Sequence, residues 1–138
     1  MDVIKLPFNE FIGLKFSEKS EYLLMLENRN EYRNHLNTVH ASAQFALAEA
    51  TSGYFLLNEF SELSDIVPVV RKVEVKYRKP VTDTVFSKAK FQNIEKNEII
   101  ESLNRQGRTL LSVEVSLHDN ENNLVMQSIF EWFITKIK

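Results

Sequence analysis

Glu49 is the single charged side chain between Ala41 and Asn58, a stretch that is otherwise small, apolar and helix-forming (ASAQFALAEATSGYFLLN). Burying an unpaired carboxylate costs several kcal/mol. Glu49 must therefore be neutralised, be paired with a cation such as Arg33 or Arg71, or be kept for chemistry. In an apolar setting its pKa rises toward the range useful to a general base. Two polar side chains precede it at fixed spacing: His40 nine residues upstream, and Asn34 six residues before that. His40 reads as a hydrogen-bonding residue at a helix start, able to fix the turn and Asn34 itself.

Other chemistries find less support. Ser42 invites a nucleophile reading, but no Gly-x-Ser-x-Gly elbow surrounds it. His35 and His118 read as loop and strand-end residues, and no second histidine or carboxylate stands at metal-ligand spacing from His40, so neither a metal nor a cofactor is expected. With no cysteine there is no thiolate site and no disulfide framework. A net charge of -2 gives no basic field for nucleic acid. No apolar run approaches the roughly 20 residues of a membrane span, and the start MDVIKLPFNEF lacks a signal-peptide core, so a cytoplasmic protein without a membrane partner is expected.

The elements that would position these residues follow from periodicity. A chain of 138 residues, 43% hydrophobic, suits one domain over 1–138. Phe8, Phe11, Ile12 and Leu14 suggest a short helix over 6–14. Residues 21–27 (EYLLMLE) read as a strand followed by a polar loop. From 39 to 60 there is no proline, alanine recurs at 41, 43, 46, 48 and 50, and a long helix is expected, apolar enough to need cover on more than one side. Four strands should follow. In the first, Val69, Arg71, Val73, Val75 and Tyr77 share one face, against Val70, Lys72, Glu74, Lys76 and Arg78 on the other, until Pro80 stops the run. Val85, Ser87, Ala89 and Phe91 form the second. Residues 95–105 suit either a short helix or a wide hairpin connection. Leu111, Val113, Val115 and Leu117 mark the third. The last, from Leu124 to Ile134, is apolar on both faces and reads as central and doubly covered. One helix against an antiparallel sheet is an α+β arrangement, and the small residues let the sheet approach closely.

Asn34, His40 and Glu49 at this spacing, with a following strand that ends VEVKYRKP, resemble the hotdog-fold acyl-coenzyme A thioesterases of the phenylacetate-degradation type. The resemblance implies a curled antiparallel sheet wrapped around one central helix. Where that branch carries Gly-Gly after the histidine, this chain has Ala41-Ser42; the acid is Glu49 where aspartate is commoner, and Lys79 stands before Pro80 where some members have serine. It also implies roles for the residues. Ala41 N–H, at a helix N-terminus, would hold the oxyanion of a thioester under attack. Glu49 would act as base or nucleophile, and Asn34 would bind the carbonyl or orient water. Lys76, Arg78 and Lys79 are expected to attract the coenzyme A phosphates, unless that face is simply solvated.

Ala41 and Glu49 lie eight residues apart, roughly 12 Å along one helix, too far to touch one thioester. Two copies with antiparallel helices would bring Ala41 of one to Glu49 of the other, so a homodimer or a dimer of dimers is expected. A hotdog module that binds acyl thioesters or lipids without turning them over is the competing expectation.

Overall fold

Alternating strands that bury one face must close over something, and here they close over the alanine-rich helix. The computed structural model describes residues 1–137. A 3-10 turn at Val3–Lys5 leads into α1 (Pro7–Phe11), β1 (Lys15–Phe16) and β2 (Leu24–Leu26); after a second 3-10 turn at Asn30–Tyr32 come α2 (Ala41–Glu59), β3 (Ile66–Tyr77), β4 (Val85–Phe91), α3 (Lys96–Gln106), β5 (Arg108–His118) and β6 (Leu124–Lys136). All strands join one sheet in the order β1-β2-β4-β5-β6-β3, every pairing antiparallel. The inward residues Leu111, Val113, Val115 and Leu117 of β5 and Met126, Phe130, Trp132 and Ile134 of β6 share one core with Leu47, Ala48 and Leu56 of α2. This is the α+β hotdog arrangement expected, a curled sheet around one long helix. No helix among the described residues is long and apolar enough to cross a membrane.

The small residues of α2 carry polar contacts through the core. Thr51 Oγ1 lies 2.6 Å from Ser87 Oγ, which accepts from Leu24 N–H at 3.1 Å, and Trp132 Nε1–H donates to Ser52 Oγ at 2.9 Å. These tie the helix to β2, β4 and β6 without leaving the buried hydroxyls unpaired.

Several expectations need correction. The long helix begins at Ala41 rather than 39, because Val39 pairs with Arg33 as an isolated bridge and gives its N–H to Val81 O. The two-residue β1 carries no periodicity of its own and makes the sheet six-stranded. Residues 96–106 form α3, closed by Gly107 in the left-handed region (φ 74) with its N–H on Leu103 O. In β3 the pairing with β6 skips Arg71, since Val70 faces Trp132 while Lys72 faces Glu131. That bulge flips the faces: Val70, Val73, Val75 and Tyr77 point inward together, and Val69 joins Lys72, Glu74 and Lys76 outside. β6 is central, but its second cover is incomplete within the chain, because Ile129 and Phe133 on the outer face stay half-buried.

Candidate functional site

The entry to α2 is built by side chains bonding to nearby backbone. Asn34 Oδ1 accepts from Leu36 N–H at 2.9 Å and Thr38 N–H at 3.0 Å, and Asn34 Nδ2 donates to Thr38 Oγ1 at 2.9 Å. Asn37 completes the turn with φ 61, a conformation asparagine tolerates better than most residues. His40 then donates its N–H to Tyr32 O at 2.7 Å, and its Nδ1 accepts from Ser42 N–H at 2.9 Å, making the imidazole the N-cap of α2. The His40 carbonyl takes the N–H groups of Ala43 and Gln44. With those donors satisfied, Ala41 N–H has no hydrogen-bond partner among the described residues and lies exposed at the positive end of the helix.

His40 was expected to hold Asn34, and it does not. Thr38 occupies the Asn34 amide, because a four-residue turn brings the Thr38 hydroxyl and N–H back onto it. A contact not foreseen is that of Tyr77, whose hydroxyl donates to Ala41 O at 3.1 Å. The inward phase that the bulge gives Tyr77 makes this possible, so the end of β3 sits beside the start of α2. Burial holds the Tyr77 phenol above its ordinary pKa.

Glu49 is half-buried, and desolvation raises its pKa above the ordinary carboxylate value. Neither expected cation reaches it. Arg33 donates to Asn37 O and Thr82 O, while Arg71 pairs with Glu131 at 3.4 Å. Glu49 instead lines a cavity of about 370 Å³ between α2, the N-terminal segment, the start of β3 and the Trp132 ring. Apart from Glu49 and Asn9 the wall is apolar, and Asn9 already gives its amide to Val3 O at 2.9 Å.

A second cavity of about 300 Å³ lies at the N-terminal end of the same helix, against His40, Ser42, Ala43, Ala46 and Tyr32. Ser42, Ala46, Glu49 and Gly53 follow one another at three- and four-residue steps, so both cavities open on one stripe of α2. The structure thus puts Ser42 and Glu49 on one helix stripe, with His40 capping the helix start, and leaves His40 and Glu49 in separate cavities. A sequence signal for the first cavity existed: Gly53, which lines it beside Glu49, interrupts a good helix without breaking it.

The three cations lie at and just beyond the end of β3, the end that Tyr77 holds beside the start of α2. Lys76 points outward from β3 opposite Gln127, Arg78 Nε donates to Gln127 Oε1 at 2.6 Å, and Lys79 follows; all three are exposed. Lys72 lies 3.8 Å from Glu74. His35 is exposed in the turn before α2. His118 packs its ring on Tyr22, and burial lowers its pKa. Among the described residues no cluster of His, Cys, Asp and Glu could hold a metal ion.

Comparison with known proteins places this arrangement. A family model described as a domain of unknown function, DUF4442, matches residues 3–134. The chain belongs to the DUF4442 family. No protein of curated function matches this DUF4442 chain. Among solved structures, a Pseudomonas aeruginosa protein described as a probable thioesterase superposes with a TM-score of 0.83 at 20% identity, covering 97% of this chain and 91% of that one. A Haemophilus influenzae thioesterase gives 0.74 at 14% identity over 98% and 87%. A Bacillus halodurans protein solved with coenzyme A gives 0.63 at 18% identity over 80% and 65%. At these identities the likeness establishes that the DUF4442 chain has their fold.

Proposed function

We propose that this protein hydrolyses acyl-coenzyme A thioesters in the cytoplasm, in the manner of the phenylacetate-degradation branch of hotdog thioesterases. The observation that carries the reading is Glu49, a carboxylate with no ion-pair partner among the described residues, raised in pKa by burial, in the wall of a mostly apolar cavity. A structural acid would be paired or hydrogen-bonded; a general base needs this kind of environment. Neighbours described as thioesterases, and one solved with coenzyme A, support the substrate class.

In the reaction, Glu49 takes a proton from water as the oxygen attacks the thioester carbonyl. Ala41 N–H, left free because His40 caps Ser42, donates to the oxyanion that forms. Collapse breaks the carbon–sulfur bond, and the thiolate leaves and recovers the proton held by Glu49. In the covalent variant Glu49 attacks first and the resulting anhydride is hydrolysed. His40 acts as a positioning residue for the N-terminal turn. Asn34 fixes the loop that delivers it, with one amide hydrogen free toward substrate, and Lys76, Arg78 and Lys79 attract the coenzyme A phosphates.

One chain cannot bring Ala41 and Glu49 to the same carbonyl, so the reading requires a homodimer or a dimer of dimers with shared sites. The 12-residue strand β3 supports assembly, since among the described residues it pairs with β6 along one side and its other edge is unpaired. The competing reading, a module that binds acyl thioesters without turnover, draws on the engagement of Asn34 within its own turn.

A panel of acyl-coenzyme A esters assayed with a thiol reagent separates the two, wild type against Glu49→Gln and Asn34→Ala. Turnover that falls in both variants is expected. Absence of turnover at every chain length favours the binding module, and a catalytically competent monomer in sedimentation refutes the shared site.

A further inference from the structure

The cavity beside Glu49 has a roof that the proposed chemistry does not use. Its floor is the Trp132 ring, whose far edge lies 3.8 Å from where a Cβ on Gly53 would stand. Its roof is the N-terminal segment, whose Val3 and Leu6 line the same space as Glu49. A mid-helix glycine costs about 1 kcal/mol relative to alanine. Here its bare Cα leaves the channel open between Glu49 and Trp132. Glu49 is the one ionisable side chain in a wall of otherwise apolar groups and Asn9. That lining rejects charged and sugar-like groups, whose polar atoms would be left without partners.

We propose that this cavity takes an unbranched aliphatic chain of medium length, inserted beneath residues 1–9 and along Gly53, so that the N-terminal segment sets the acyl-chain preference of the site. About 370 Å³ holds roughly twelve groups at the ~30 Å³ that one water takes up in the liquid, so a chain of about ten carbons with its polar head fits. The assignment of that chain as an acyl substrate rests on the thioesterase reading; the occupancy of the cavity does not.

Trp132 is the sole tryptophan of the chain and is nine-tenths buried in the cavity floor, so its emission reports occupancy without any turnover. Primary alkanols of four to twelve carbons are suitable probes, being neutral and therefore not repelled by Glu49. Affinity read from Trp132 emission should tighten about fourfold per added methylene up to about ten carbons and then level off. Gly53→Leu should weaken octan-1-ol binding at least tenfold and butan-1-ol binding far less. Leu6→Gln, at an exposed roof position, should weaken the longer alkanols without disturbing the core.

Emission that no alkanol moves in the wild type would overturn the proposal, as would an unbroken rise to twelve carbons or a response unchanged in both variants. Saturable binding in a protein that hydrolyses no thioester leaves the cavity assignment standing and removes the thioesterase reading. Hydrolysis with no alkanol response does the reverse.

Discussion

Glu49→Gln is the substitution on which activity and stability should part company. Glutamine keeps the side-chain shape and removes both the charge and the base. If Glu49 is the base, kcat/KM falls by about 10²–10⁴-fold, the range for losing general base catalysis, equivalent to about 3–5 kcal/mol of barrier. Stability moves the other way. The wild-type carboxyl has a folded-state pKa raised by desolvation, so the native state favours its protonated form. The stability it contributes is therefore complete below the ordinary carboxylate pKa, and is lost as pH rises through the raised value. Near pH 4 variant and wild type should unfold alike, and at pH 7–8 the variant should be the more stable. A half-buried carboxylate without a partner puts that gain at the low end of unpaired polar burial, on the order of 1 kcal/mol, or roughly 3–5 °C in Tm for a chain of this size.

The assay is urea unfolding at the two pH values beside thioester kinetics on the same preparations. The wild-type kcat/KM profile should also show a rising limb above the usual carboxylate range, absent in the variant, because a base must be deprotonated to act. Unchanged kcat/KM in Glu49→Gln would refute the catalytic role. A variant less stable than wild type at pH 7 would show instead that the carboxylate makes structural bonds.

Three further outcomes follow from single contacts. His40→Ala removes the N-cap acceptor of Ser42 N–H and should cost about 1 kcal/mol; a urea midpoint unchanged from wild type would refute the capping role. Ser87→Ala leaves Leu24 N–H buried without its acceptor and removes a partner of Thr51. It should cost about 2 kcal/mol, seen as a lower midpoint at constant m-value. Gly53→Ala adds a methyl at ordinary contact distance from Trp132 and should stabilise by up to about 1 kcal/mol. Calorimetry showing a lower Tm would mean that the helix has no room there.

Periodicity and composition alone were enough for the long helix, for the strands beginning near 85, 111 and 124, and for the α+β class, while the hotdog arrangement came from the resemblance carried by Asn34, His40 and Glu49. Those features are local: alternation marks a strand with one buried face, and an alanine-rich run without proline marks a helix that something must cover. The spacing of Asn34, His40 and Glu49 was legible for the same reason. Tertiary structure decided the rest. The bulge at Arg71 depends on pairing with β6, and without it the faces of β3 read one residue out of phase up to Val70. β1 is too short to carry a pattern and exists because β2 offers it an edge. Asn34 bonds Thr38 rather than His40 because turn closure outcompetes a longer reach. That Glu49 has neither Arg33 nor Arg71 beside it, and faces Trp132 beneath the N-terminal segment instead, comes from groups dozens of residues apart in the chain. A sequence shows which side chain carries a charge; what surrounds that charge, and so its pKa and its use, is settled by long-range packing.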